Sequence, residues 1–98
     1  MLTAINIRSG VAQTGTAAFS DLMLNQVQHN ILWGQGDNLM MVPTDCDNRD
    51  ERLGWTGDSA LSSDEASLNY DMGAFYHNWA RSKTATAFSN LPARFQRR

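Results

Sequence analysis

Apolar residues recur at helical spacing in two places along the chain, and no period holds in the long stretch between them. Leu24, Val27 and Ile31, joined by Met23 and Leu32, share one helical face. Ser20 stands where an N-cap hydroxyl belongs, and Asp21 follows in the first turn, where a negative charge meets the helix dipole favourably. Gly34 and Gly36 are expected to end this helix. A second helix is signposted by "SSDE" at residues 62–65, a capping box in which Ser62 accepts from the amide of Glu65 and the Glu65 carboxylate reaches back. Leu68, Met72, Phe75 and Trp79 follow at i, i+4, i+7 and i+11, a stripe facing one core, with Tyr70 and Tyr76 off it. "LTAINI", from Leu2 to Ile7, alternates well enough for a short N-terminal strand. The last stretch, "TATAFSNLPARFQRR", has no period and contains Pro92, so it is predicted to be a poorly ordered tail.

Residues 35–61 form the connection between the two predicted helices. Structureless loops beyond about 12–15 residues are uncommon in compact domains, and are usually functional or disordered. Disorder suits this loop poorly, because it holds Leu39, Met40, Met41, Val42, Leu53 and Trp55. It is therefore the expected seat of function.

Composition narrows what that function can be. The chain has 98 residues and a net charge of −2, with 42% hydrophobic and 18% charged positions. That allows one domain at most, with a thin core unless a partner covers it. A mildly acidic chain has no electrostatic reason to seek nucleic-acid phosphates or an anionic membrane. No run approaches the ~20 apolar residues of a membrane span, and "MLTAINIRSG" lacks the apolar run of a signal peptide. Cys46 is the lone cysteine and has no internal disulfide partner, which leaves the compartment open. Every acidic residue except Asp21 lies between Asp37 and Asp71, so negative charge is concentrated around the long loop.

The densest part of that charge is "RDERLGWTGD", residues 49–58, preceded by "VPTDCDN". A calcium loop starting at Asp45 fails, since Arg49, Asp50 and Thr56 stand where an oxygen ligand, a Gly and a Glu are required. Zinc fails because Cys46, His29 and His77 show no ligand spacing. A dinucleotide fingerprint from Gly34 breaks at Leu39. No cofactor is therefore expected. Sugar recognition fits better. Trp55 offers a flat apolar face to the C–H side of a pyranose, while carboxylates and arginines exchange hydrogen bonds with its hydroxyls. Glycoside hydrolysis needs carboxyl groups with divided duties, and crowding Asp45, Asp47, Asp50, Glu51 and Asp58 pushes some of them towards the protonated form. The rival reading is an Arg–acid network, through Arg49 and Arg52, that merely holds a loop.

The stretch "NQVQHNILWGQGDNLMMVPTDCDNRDERLGWTGD" resembles the catalytic domain of the bacterial α-L-rhamnosidases, glycosidases of the six-hairpin, (α/α)6-barrel kind. The likeness continues through "ASLNYDMGAFYHNW" and, more weakly, back to "INIRS", covering about residues 5–82. The resemblance implies an all-α fold, a partial (α/α)6 barrel of two main helices joined by an active-site loop. It also implies inverting hydrolysis of terminal α-L-rhamnose from rhamnosides. Glu51 matches the family's general acid, and Asp45 a carboxylate that binds rhamnose hydroxyls. Trp55 matches a wall of the sugar pocket and Asp58 a further acid near the sugar, with Arg49 and Arg52 orienting them and Asp50 a pocket or structural acid. Asp47 and Asn48 depart from the family, which usually has Pro and Gln there, and the likeness stops near Ser82. The family's general base is a Glu much later in the chain, so these residues are expected to hold the acid half of the site alone. Residues 1–98 are then expected to be a single fragment of that domain, inactive by itself, needing the rest of the barrel or self-association to cover its apolar faces. A small non-catalytic helical module that binds a sugar or a protein is the alternative.

Overall fold

A computed structural model of the chain describes residues 1–46, 48–50 and 53–89, the side chains of 87–89 excepted. Among these residues the chain is all-α, with three helices in the order α1 (Leu22–Asp37), α2 (Thr56–Asn69) and α3 (Gly73–Ser89). The expected strand over residues 2–7 does not form. Residues 1–18 instead run as an extended arm, with Leu2, Ile5 and Ile7 exposed and only an isolated bridge between Gln13 and Tyr70. A single weakly alternating segment has no second strand to take up its backbone groups, so the arm bonds to loops and helix ends instead.

The first helix starts one residue later than the sequence pattern suggests. Asp21 is the N-cap, and its carboxylate accepts from the Met23 amide at 2.7 Å. The Asn25 side chain fixes the chain's entry, accepting from the Phe19 amide and donating to the Phe19 carbonyl, both at 2.8 Å. The expected stop at Gly34 and Gly36 does not occur. The helix runs through both glycines to Asp37, and Asn38 closes it, donating its side-chain amide to the Gly34 carbonyl at 2.9 Å. Gly36 is buried because the helix end meets the Arg8 guanidinium and the Tyr70 hydroxyl there, and a side chain at this position would have to displace the end of Arg8.

The second predicted helix is two helices. α2 begins at Thr56, six residues before the expected capping box, which therefore lies mid-helix. Ser62 does not cap. Its hydroxyl donates back to the Asp58 carbonyl at 3.1 Å, as Ser67 does to Ser63 at 2.8 Å. The stripe from Leu68 to Trp79 is cut at Tyr70, which adopts extended backbone (φ −134°, ψ 155°). The arm supplies the reason for the break. The Asn69 carbonyl accepts the amides of Thr14 and Gly15, and the Asp71 amide donates to the Ala12 carbonyl at 2.9 Å. Leu68 consequently points to solvent while Met72 is buried. α3 then continues to Ser89, so residues 84–89 of the predicted tail are helical; the remainder of that tail lies outside the described residues.

The buried centre is small: Leu39, Ala66, Tyr70 and Met72, with Val11, Leu32, Phe75 and Tyr76 packed against it. Tyr70 secures it, donating its hydroxyl to the Leu32 carbonyl at 2.7 Å across the α1–α2 junction. Among the described residues most large apolar side chains are left outside, including Leu22, Met23, Trp33, Met41 and Leu61. The radius of gyration is 16.9 Å, against about 13 Å for a compact domain of 100 residues.

Candidate active site

The loop from Asn38 to Trp55 is folded at its start and feeds a cleft between α1 and α2. Asn38 and Thr44 close a tight turn: the Thr44 amide donates to the Asn38 carbonyl at 2.9 Å, and its hydroxyl lies 3.0 Å from the Asn38 side-chain oxygen. Leu39, facing Pro43 across this turn, anchors it in the core. Asp45 follows directly, so its position is set by a loop that is itself pinned to the end of α1. At its other end the loop is held by α3. Lys83 donates to the Gly54 carbonyl at 3.0 Å and lies 5.7 Å from the centre of the Trp79 ring. A Cβ on Gly54 would stand 3.1 Å from Trp79 Nε1 and 3.2 Å from Val42, so the loop approaches α3 closely.

The cleft has a volume of about 630 Å³, within the range of small-molecule pockets. Asp45, Trp55 and Asp58 all line it. Trp55 is the residue before α2, half exposed, and it brings a flat apolar ring to the lining of the cleft. Asp58 lies in the first turn of α2, where the helix dipole favours its charge. Asp45 is half-buried; one carboxylate oxygen lies 3.7 Å from Cys46 Sγ, and the other is fully buried with no hydrogen-bond donor among the described residues. Arg49 and Asp50 are exposed on the bend preceding Gly54 and do not line the cleft. Glu51 and Arg52, like Asp47, lie outside the described residues.

The cleft also uses residues that the motif does not announce. Gln35 and Asn38 come from the end of α1, Glu65 from the third turn of α2, and Tyr76 from α3. Glu65 accepts from Gln35 Nε2 at 2.7 Å and from the side-chain amide of Asn69, whose own oxygen accepts from Gln28 Nε2 at 3.1 Å. Tyr76 feels this wall: burial, and then the nearby Glu65 charge, push its hydroxyl above the usual value near 10. The only sequence signal for Glu65 was its place in an apparent capping box, which assigned it to the helix backbone instead.

Three helices and no strand among the described residues, with Asp45, Trp55 and Asp58 on one cleft, fit part of an all-α helical barrel. Residues 12–90 match the family described as the bacterial α-L-rhamnosidase 6-hairpin glycosidase domain, and the chain belongs to that family. It is 38% identical over 82 residues to an α-L-rhamnosidase of Formosa agariphila, covering 84% of this chain and 9% of that protein. It is 46% identical over 57 residues to an α-L-rhamnosidase of Streptomyces avermitilis, covering 58% of this chain and 6% of that protein. Among solved structures, the α-L-rhamnosidase from Dictyoglumus thermophilum superposes with a TM-score of 0.70 at 48% identity, over 72% of this chain and 8% of that one. The chain thus spans less than a tenth of the length of these relatives.

Proposed function

We propose that the chain contributes the sugar-binding and acid-catalytic face of an inverting α-L-rhamnosidase acting on terminal α-L-rhamnose. The observation that supports this reading is the convergence of Asp45, Trp55 and Asp58 on one cleft in a member of this family. Trp55 stacks on the C–H face of the sugar ring. Asp45 accepts from ring hydroxyls. One Asp45 oxygen is buried with no donor among the described residues, and a sugar hydroxyl is a donor of the right kind. Asp58 accepts at the mouth of α2. Glu51, seven residues before Asp58, protonates the departing glycosidic oxygen, with Arg49 and Arg52 orienting the neighbouring carboxylates and Asp50 acting as a pocket or structural acid. An inverting reaction also needs a general base about 6.5–9.5 Å from the acid to activate water on the opposite face of the sugar. In this reading a Glu from the remainder of the barrel supplies it, and the same remainder covers the apolar faces of α1 and α2.

The test joins residues 1–98 to the remaining barrel helices of a homologous α-L-rhamnosidase and assays an aryl α-L-rhamnoside. The chain alone is expected to show no turnover. The joined protein is expected to hydrolyse the substrate with inversion, and Glu51→Gln to reduce kcat by about 10²–10⁴-fold. Turnover by the chain alone, or a joined protein indifferent to Glu51→Gln, would overturn the assignment of acid and base.

A further inference from the structure

We infer that Glu65 is a ligand-selecting residue of the cleft, one that favours a neutral or cationic sugar and excludes a uronate. The inference rests on the cleft being the sugar site proposed above. Three carboxylates line the cleft, Asp45, Asp58 and Glu65, and no Lys or Arg lines it among the described residues. The wall formed by the described residues is therefore anionic, and Glu65 extends that charge away from the loop, down the α2 side.

The hydrogen bonds of Glu65 fit a binding role. Its two oxygens each accept from a neutral amide, Gln35 on α1 and Asn69 on α2, so its charge is held in place without being neutralised by those contacts. Each oxygen of an ionised carboxylate can accept a second hydrogen bond. The donors line up in one direction, Gln28 to Asn69 to Glu65, with Gln35 arriving from the opposite helix. Because a carboxylate only accepts, Glu65 also settles which way the Gln35 amide faces. The Gln35 oxygen is turned away from it, buried and without a donor among the described residues. Glu65→Gln keeps the size of the side chain but removes the charge and no longer fixes which way the neighbouring amides face. A polyhydroxylated ligand meets acceptors on two walls of this cleft, and an ammonium gains a Coulombic attraction that a carboxylate ligand loses.

The experiment follows binding to the full chain by amide and side-chain NMR shifts, using three probes: methyl α-L-rhamnopyranoside, a protonated iminosugar of L-rhamno configuration, and galacturonate. Wild type is expected to bind the first two and not the third. Glu65→Gln is expected to weaken the iminosugar about tenfold, the size of one hydrogen bond to a charged group, and to narrow its margin over galacturonate. Glu65→Asp, which keeps the charge, is expected to preserve that margin, and it decides the matter if Glu65→Gln does not fold. Unchanged selectivity in Glu65→Gln, alongside loss of rhamnoside binding in Asp45→Asn, overturns the role of Glu65 and leaves the sugar site standing. Failure of wild type to bind either the rhamnoside or the iminosugar overturns both.

Discussion

Single side chains in this protein are set by what lies across from them. Tyr76 shows it for charge. Its raised pKa means that the folded state holds the phenolic proton more tightly than the unfolded chain does. The stability from that difference is fully present below the unfolded value near 10 and is lost as pH rises through the folded one. Denaturant titrations between pH 9 and 11 are expected to show a steeper alkaline decline in wild type than in Tyr76→Phe. Tyr70 shows it for hydrogen bonding: Tyr70→Phe leaves the ring in the core but removes the donor to the Leu32 carbonyl, at a cost of about 1 kcal/mol in a urea titration. At this scale the sequence is legible where a motif is contiguous. Asp45, Trp55 and Asp58 sit within fourteen positions of each other and reach the same cleft. Gln35 and Glu65 are 30 residues apart, and only the packing of α1 against α2 joins them.

The helices differ in how far sequence alone placed them. α1 is read from its period because its apolar residues repeat without interruption. The glycines near its end fail as stop signals because Arg8 and Tyr70 pack against Gly36, and tertiary contact outweighs the ~1 kcal/mol preference of glycine for other structure. The break between α2 and α3 has no local signal of comparable strength. Leu68, Met72 and Phe75 keep helical spacing across it, and the hydrogen bonds that cause the break come from Ala12, Thr14 and Gly15, more than fifty residues away. Two glycines separate these effects. At Gly15 a Cβ would land on the Leu68 carbonyl, and backbone does not yield. At Gly36 it would meet the end of the flexible Arg8 side chain. Gly15→Ala is expected to lower the melting temperature clearly, by more than about 2 kcal/mol in equivalent stability, and Gly36→Ala by less than about 1 kcal/mol. Asp21→Ala, which deletes the N-cap acceptor of α1, is expected to cost about 1 kcal/mol by the same measurement.

For the molecule as a whole, the balance of inside and outside is unusual. The fold class and family were legible, because binary pattern and the "RDERLGWTGD" segment are local features. The thinness of the interior was legible too, from the length of the chain, but which faces stay uncovered was not, because a helical stripe states that a face is apolar and not that anything covers it. Leu24, Val27 and Ile31 form such a stripe, yet they remain 48%, 47% and 40% exposed. A surface of this kind favours association. The chain in isolation is expected to sediment as oligomers at micromolar concentration and to bind a hydrophobic dye strongly. Fusion to the remaining hairpins of a homologue is expected to suppress both; persistence of the oligomers in the fused protein would separate association from uncovered barrel faces.

The extended arm gives the molecule an order of events. Helices close through neighbours three and four residues away, but the arm's bonds join Ser9 to Leu39 and Gly15 to Asn69, so they form only after long loops have been drawn together. Refolding should therefore build the helices early and seat the arm late. The loop entry at Leu39 and the end of α2 at Asn69 are then finished in one closing step. The reverse holds for opening: amides of the arm should exchange with solvent first, and the cleft should loosen at both rims together when they do. The seating of a few N-terminal residues becomes the kinetic gate through which Asp45 and Glu65 come to line the same cleft.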